Sequence, residues 1–391
     1  MTGTLRKYLK GDPVIWMVIF ILSIISILVV YSSTGTLAYR FQGGNTAYYI
    51  LKHTIILFVG WVFIYTMHLV PYKFYALLAQ IFLILSVPLL LFTLFLGTRL
   101  NEASRWLTLP VIGLTIQTSD LAKLALIMFV ARNLAIKQES IGDFRNTFLP
   151  TIIPVLIICA LIAPANLSTA VMLFATCVIL MFIGRMPVSY ILLLGVTAVA
   201  ILSLFVAISL WTHSEGRVKT WIHRIESFRG SDDEDSYQVE QAKIAIVTGG
   251  IIGKGPGNST QRNFLPHPYS DFIYAIIVEE YGIIGGIVVV LLYLVLFFRA
   301  GILVRRSNRT FPAFLSAGLA LLLVFQAFIN MGVAVNLLPV TGQPLPLVSM
   351  GGSSLFFTCA SLGIILSVSH GLDEEKKKET TINEGVQTDV S

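Results

Sequence analysis

A single carboxylate stands where a long polar stretch gives way to an apolar helix. Asp271 directly precedes the apolar run that begins at Phe272. An acidic side chain at the mouth of a membrane helix is costly to hold near lipid, so we interpret Asp271 as a functional residue. A carboxylate acts as a general base when it reaches the proton that it removes. Asp also caps helices well, and capping of the following helix is the alternative interpretation.

Two further carboxylates follow on the same predicted helix. Glu279 and Glu280 lie about 12 Å deeper than Asp271 at a rise of about 1.5 Å per residue. With about 100° of rotation per residue, Glu279 lies within about 80° of Asp271, whereas Glu280 points away. Glu279 is therefore the better candidate for a supporting role. We interpret His267 as a loop histidine rather than a base or ligand.

Two earlier segments carry charges suited to a phosphorylated substrate. Arg105 stands beside Trp106, and a guanidinium group pairs bidentately with phosphate oxygens. An interfacial Trp and Arg anchor is the alternative. Asp120 and Lys123 are three residues apart, so they share a helix face and can pair. Such a pair inside a membrane bundle marks a substrate path or a structural ion pair, and the two interpretations are compatible.

The segment 336–354 has a composition that a regular helix does not tolerate. It contains three prolines and three glycines at predicted membrane depth. Irregular backbone at that depth is tolerated where it is buried in protein or lines a cavity. We therefore predict that this segment forms the wall of a site. The alternative is a tight connection between two spans.

Composition indicates the elements that position these residues. The 391-residue chain is 55% hydrophobic and 12% charged, with a mean hydropathy of +0.81. Apolar stretches long enough to cross a bilayer predict an all-α polytopic membrane protein with about ten transmembrane helices. The three cysteines fit neither a metal site nor a disulfide framework. The predicted spans are 14–34, 50–69, 74–96, 119–136, 149–165, 167–184, 187–211, 270–298, 311–335 and 347–370.

The charge distribution predicts the orientation. With both termini on one side, the regions on that side hold 15 Lys and Arg residues, and the short loops opposite hold four (Arg40, Lys52, Arg99 and Arg105). The positive-inside rule therefore places both termini in the cytoplasm. A large extracytoplasmic loop, about 212–269, separates helices seven and eight, and its stretch 238–247 has helical patterning. We predict one membrane domain, 1–371, and a disordered cytoplasmic tail, 372–391.

These segments resemble the SEDS family (shape, elongation, division and sporulation) of peptidoglycan glycosyltransferases, and the resemblance covers nearly the whole chain. The chain is most similar to the cell-division branch, FtsW type, and the elongation branch, RodA type, is the nearest rival. The matching motifs are Arg105–Leu107, Gln117–Lys123, Tyr237-Gln238 with Gln241-Ala242, Gly249–Asn258, Leu265-Pro266, Ser270–Ile273, Glu279–Gly282, Leu338–Pro346 and Ser349–Ser354.

The resemblance implies which residues do what. Asp271 falls on the family's essential acid. We predict that Arg105, Asp120, Lys123, Lys254, Glu279 and Ser353 bind substrate. The chain departs from the family at Asn166, where an acid is usual, and at His267–Ser270, where another acid often precedes the essential one. A helper carboxylate or metal ligand at position 166 is thereby put in doubt.

The implied reaction is polymerisation of lipid II in the bacterial inner membrane, at the division septum. Asp271 would deprotonate the acceptor sugar hydroxyl, and Arg105 and Lys123 would neutralise the departing undecaprenyl pyrophosphate. The resemblance leaves a divalent cation, Mg²⁺ or Mn²⁺, open and implies no organic cofactor. It implies as partners a class B penicillin-binding transpeptidase and other divisome membrane proteins, and no nucleic acid.

Three other functions are compatible with the same residues. A lipid II flippase would also use intramembrane charges and interrupted helices. Transporters of that kind often show internal repeats, however, and none is visible here. The elongation polymerase is the second alternative. The third is a scaffold that recruits division proteins, for which the tails look too short and featureless to suffice alone.

Overall fold

Helices account for most of this computed structural model. It describes residues 9–35, 45–100, 103–108, 115–211, 234–266 and 268–388, together with positions 37, 39 and 43. Within that part of the chain, eleven long helices follow one another: α1 (Pro13–Ser33), α2 (Thr46–Leu69), α3 (Tyr72–Leu96), α4 (Thr118–Ile136), α5 (Leu149–Ile162), α6 (Leu167–Ile183), α7 (Val188–Trp211), α8 (Glu234–Gly249), α9 (Ile273–Arg306), α10 (Thr310–Ala334) and α11 (Gly352–Thr388).

Each of the ten predicted spans corresponds to one of these helices, so the predicted fold class is confirmed. Seven helices, α1–α3, α5 and α9–α11, are long and apolar enough to cross a membrane. Helix α6 and the described part of α7 are shorter apolar helices. Helix α4 has the length but carries three charged residues, Asp120, Lys123 and Arg132. The predicted helical stretch 238–247 lies within α8.

Local sequence explains where several helices begin. Asp12 precedes Pro13, and its Oδ1 accepts a hydrogen bond from the Val14 amide at 2.8 Å, which starts α1. Asn45 and Asn166 cap α2 and α6 in the same way. Side-chain oxygens at these positions satisfy amide groups that have no partner within the helix.

Helices α10 and α11 form the centre of the bundle. Of their most apolar windows, 83% and 78% of residues are buried, against 22% in α2 and 28% in α3. The outer helices therefore turn large apolar side chains outward, as a lipid-facing surface requires. The fold has two ends, named here by what lies there. The terminal face holds Asp12, Arg299 and His370, and the site face holds Asp271 and α8.

Three short strands join α3 to α4 on the site face, an element that the all-α prediction did not contain. They are β1 (Thr98–Leu100), β2 (Ala103–Thr108) and β3 (Thr115–Gln117), paired antiparallel in chain order. Strand β3 runs directly into α4. The Gln117 amide donates to Ser353 Oγ at 3.0 Å, so the sheet is attached to the start of α11.

Helix α9 is interrupted at Gly282, and a glycine-rich loop supplies hydrogen-bond partners at the interruption. Gly282 has φ 70° and ψ −175°, and a Cβ there would lie 2.1 Å from the Ile251 carbonyl oxygen. The Ile283 amide donates instead to Gly250 O at 2.9 Å, and the Lys254 amide donates to Glu279 O at 3.0 Å. Only glycine combines this backbone conformation with so close an approach.

Residues 372–388 of the predicted disordered tail are helical, and 389–391 lie outside the described residues. Helix α11 continues to Thr388, well past the predicted membrane boundary. Glu375 accepts a hydrogen bond from the Tyr72 hydroxyl at 2.8 Å and pairs with Arg309 at 3.3 Å. The charged composition suggested disorder, but the preceding apolar turns nucleate a helix that these contacts then hold against the terminal face.

Candidate active site

Asp271 lies in a turn immediately ahead of α9. Its side chain is half-buried, and Ser270 Oγ donates to its Oδ1 at 2.8 Å. Its backbone carbonyl accepts a hydrogen bond from Asn330 Nδ2 at 2.9 Å, so α10 holds the turn in position. Phe272, not Asp271, occupies the N-cap position of α9. The structure therefore disfavours the capping interpretation.

The irregular segment before α11 packs directly on this turn, as predicted for a site wall. Ser349 Oγ donates to Ser270 O at 2.7 Å, and the Met350 amide donates to Tyr269 O at 2.9 Å. Leu347, buried in the same segment, has φ 66°. A bulky residue in that region costs on the order of 1–3 kcal/mol and persists only where its surroundings determine it. The wall is therefore fixed rather than a simple connection.

Asp120 and Lys123 form the predicted ion pair. Lys123 Nζ lies 2.7 Å from Asp120 Oδ1, with side-chain exposures of 7% and 3%. Lys123 Nζ also lies 3.4 Å from Gln326 Oε1, and Gln326 Nε2 donates to Pro344 O at 2.9 Å. A chain of polar contacts thus runs from α4 through α10 to the wall. The predicted contact of Lys123 with a leaving pyrophosphate stays a prediction.

A second chain of contacts reaches the wall from α6. Gln343 Nε2 donates to Thr169 Oγ1 at 2.6 Å, and Gln343 O accepts from Asn330 Nδ2 at 2.8 Å. Asn166 Oδ1 accepts from the Thr169 amide at 3.2 Å as the cap of α6. The residue that departs from the family's usual acid therefore has a capping role here.

Glu279 and Lys254 form an ion pair that joins α9 to the loop before it. The Glu279 carboxylate is completely buried and lies 2.6 Å from Lys254 Nζ. It also accepts from Thr260 Oγ1 at 2.9 Å, from the Thr260 amide at 3.0 Å and from Ser259 Oγ. This carboxylate anchors the loop 254–261, and the roles of Glu279 and Lys254 in substrate binding stay predictions.

Sequence reasoning missed the two amides of α10 that support the site. Gln326 and Asn330 are buried and lie four residues apart in an otherwise apolar helix, so they share one face. Buried amides need hydrogen-bond partners, and these two find them in the wall and in the turn. The spacing of these two amides in an apolar span is the sequence feature that could have identified them as part of the site.

The remaining predicted residues have different placements. Ser353 accepts from the Gln117 amide, which gives it a structural contact with the sheet. Arg105 lies on β2, and its side chain lies outside the described residues, as does His267.

Burial, and then the negative charge of Asp271, raises the pKa of the Tyr269 phenol above its ordinary value. Tyr269 therefore stays protonated at neutral pH as a neighbour of the carboxylate.

The described residues do not fit a protein-held metal cluster. Within them, no group of three or more His, Cys, Asp or Glu side chains is arranged to hold an ion. Mg²⁺ in enzymes that act on phosphates binds through one or two carboxylates, substrate phosphates and water.

Comparison with known proteins agrees with this architecture. The chain of a solved peptidoglycan synthase complex, described as coordinating polymerization and crosslinking, superposes with a TM-score of 0.68 at 24% identity, covering 93% of this chain and 98% of that one. The rod shape determining protein RodA of Thermus thermophilus superposes with a TM-score of 0.65 at 23% identity, with the same coverage. These likenesses establish a shared fold.

Sequence relatives are similar along almost the entire chain. The probable peptidoglycan glycosyltransferase FtsW of Trichlorobacter lovleyi is 32% identical over 369 residues, covering 92% of this chain and 93% of the relative. The protein of the same name from Bacillus subtilis is 31% identical over 397 residues, covering 98% and 97%. The FtsW/RodA/SpoVE profile, described as "Cell cycle protein", matches residues 12–374. The chain therefore belongs to the FtsW, RodA and SpoVE family, the SEDS proteins.

Proposed function

We propose that this chain is a peptidoglycan glycosyltransferase that polymerises lipid II during cell division, with Asp271 as its general base. Relatives named for this activity match along nearly the full length. The observation that supports this proposal most directly is the support of the Asp271 turn. Three hydrogen bonds from α10 and the wall hold the turn in place. Such support keeps a catalytic side chain in one geometry, as general-base catalysis requires.

In the proposed reaction, the Asp271 carboxylate accepts one proton and later releases it. Asp271 takes the proton of the acceptor GlcNAc 4-hydroxyl while that oxygen forms a bond to C1 of the donor MurNAc. The bond from C1 to the pyrophosphate oxygen breaks with inversion, and undecaprenyl pyrophosphate leaves with the electron pair. Asp271 then releases its proton to water. Arg105 is assigned to the departing phosphates, because guanidinium pairs bidentately with phosphate oxygens.

Lys123 and Asp120 are assigned a positioning role in this scheme. Their pair is almost completely buried and contacts the wall through Gln326. The pair therefore acts on Asp271 through the segment that packs against its turn. The proposal also places both termini in the cytoplasm and Asp271 at the outer leaflet of the inner membrane at the septum. It takes a class B penicillin-binding transpeptidase as the partner and includes other divisome membrane proteins.

Purified protein incubated with labelled lipid II, alone and with such a transpeptidase, tests the proposal. We expect glycan chains from the wild type and a loss of about 10²–10⁴-fold in rate for Asp271→Asn, since general-base help has that typical size. Asp373→Asn removes an exposed carboxylate on the opposite face and serves as the control. Near wild-type rates for Asp271→Asn would remove the assigned base. Transfer of intact lipid II across a bilayer without polymer would favour a flippase instead.

A further inference from the structure

A groove on the terminal face collects positive charge that the proposed reaction does not use. It lies between the start of α3, the end of α4 and the start of α10, and it has a volume of about 500 Å³. Three cations line it: Lys73, Arg132 and Arg309. No acidic residue lines it, although Glu375 pairs with Arg309 at 3.3 Å. Lys73 and Arg132 thus leave the groove with a net positive charge.

Arg132 is the most unusual of the three. Asp120 and Lys123 neutralise each other within α4, whereas half-buried Arg132 has no hydrogen-bond or ion-pair partner among the described residues. Lys73 likewise has none within that part of the chain. An ionisable side chain inside a membrane helix is expensive and is by default a sign of function. Its missing partner is expected to be an anion from outside the protein.

Two helix ends add to the attraction. Lys73 lies in the first turn of α3 and Arg309 is the N-cap of α10, and neither helix has a side-chain cap. Uncapped amide groups at a helix start favour a negative charge, and the helix dipoles add partial positive charge there. The opposing end of α4 is held beside α10, where Thr310 Oγ1 lies 3.5 Å from Ala135 O.

The groove also has an apolar side. Ala76, Ile136 and Phe311 line it together with the cations, and Ile136 is 64% exposed. Two of the helices that form it, α3 and α10, are long and apolar enough to cross a membrane, and the neighbouring surface of α3 carries exposed apolar side chains. A soluble anion would use the cations and leave this apolar surface in water. A lipid with a phosphate headgroup would use both.

We propose that this groove binds the headgroup of an anionic phospholipid, such as phosphatidylglycerol. Lys73, Arg132 and Arg309 contact the phosphate, and the acyl chains pass over Ile136 and Phe311. This site is on the face opposite Asp271 and is independent of the proposed polymerisation. Basic pockets between membrane helices suit such headgroups because their cations pair with the lipid phosphate.

The test measures lipid binding directly, so it does not depend on activity. Full-length protein in neutral detergent is titrated with dioctanoyl phosphatidylglycerol, dioctanoyl phosphatidylcholine or glycerol phosphate, and bound ligand is followed by native mass spectrometry. We expect phosphatidylglycerol to bind most tightly. The double variant Lys73→Gln with Arg132→Gln is expected to weaken that binding about 30-fold, the change that corresponds to about 2 kcal/mol.

Two controls define the outcome. Arg145→Gln removes an exposed cation elsewhere on the terminal face and should leave binding unchanged. Lys73→Arg with Arg132→Lys keeps both charges and should retain most of the affinity. Unaltered binding in the Gln double variant, or an equal loss in Arg145→Gln, would overturn the site. Equally tight binding of glycerol phosphate would overturn the lipid assignment and identify a soluble phosphate.

Discussion

At the scale of single residues, the side-chain amide of Asn330 holds the Asp271 turn in position. Its Nδ2 donates at once to Asp271 O and to Gln343 O. The turn and the wall therefore share a donor on a helix that is deeply buried. Loss of that donor removes the hydrogen bond that each of these two carbonyl groups accepts from Asn330, and one such bond typically contributes about 0.5–1.5 kcal/mol.

Asn330→Leu is accordingly expected to displace the carboxylate. We expect kcat for lipid II polymerisation to fall at least about tenfold with a smaller change in KM, since positioning matters most in the transition state. Ser316→Ala is the matched control, because Ser316 is buried in the same helix and donates only to Ala313 O. Equal activity of both variants would show that Asn330 does not position the turn.

The buried ion pair of α4 leads to a stability prediction. Lys123→Met leaves the Asp120 carboxylate buried without its partner, which typically costs about 3–5 kcal/mol. Thermal unfolding in detergent should therefore shift strongly downward. The double variant Asp120→Asn with Lys123→Met should recover most of the loss, because it removes the unpaired charge. A double variant as unstable as the single one would mean that the charge pair is not what stabilises this contact.

At the scale of elements, the break in α9 depends on one backbone conformation. Gly282→Ala forces a Cβ to within 2.1 Å of Ile251 O at φ 70°. The strain and displacement together should cost several kcal/mol, since each costs on the order of 1–3 kcal/mol. Gly301→Ala in the same helix meets no atom within 4 Å and should be neutral or slightly stabilising. Thermal unfolding of the two variants compares them directly.

The sequence predicts the spans well because hydropathy and length alone define a bilayer crossing. It also predicts that 336–354 is irregular, since prolines and glycines cannot continue a helix. It does not predict that Glu279 turns to the loop 254–261. Helical periodicity assumes that Asp271 and Glu279 lie on one helix, whereas Asp271 lies in the turn before α9 begins at Ile273.

The residues of the candidate site also differ in how well the sequence predicts them. Asp271 is identifiable because one acid beside an apolar helix has few structural explanations. The pairing of Asp120 with Lys123 follows from their spacing. Gln326 and Asn330 are harder, because single amides in a span gain meaning only when the wall that they bind is known. The strands before α4 are short and depend on pairing with one another, so no periodic signal announces them.

At the scale of the whole molecule, the orientation can be tested without activity. The three native cysteines are buried, so single introduced cysteines report cleanly. Ile252, which is 81% exposed on the site face, and Ser140, exposed on the terminal face, are suitable positions. In intact spheroplasts an impermeant maleimide should label Ile252→Cys and should label Ser140→Cys only after lysis, because the positive charges keep the terminal face inside. The reverse pattern would invert the proposed topology.

The break in α9 has a mechanical consequence. The short part of the helix before Gly282 accepts hydrogen bonds from the Lys254 and Gly255 amides. The first residues after Gly282 donate to Gly250 O and Ile251 O, so one loop holds both parts. Bilayers differ in thickness, and long helices adapt by tilting. Because the same loop is hydrogen-bonded to both parts of α9, a change in the inclination of the long part is passed to the short part and to the Asp271 turn ahead of it. The position of the carboxylate is therefore expected to respond to the thickness of the surrounding bilayer.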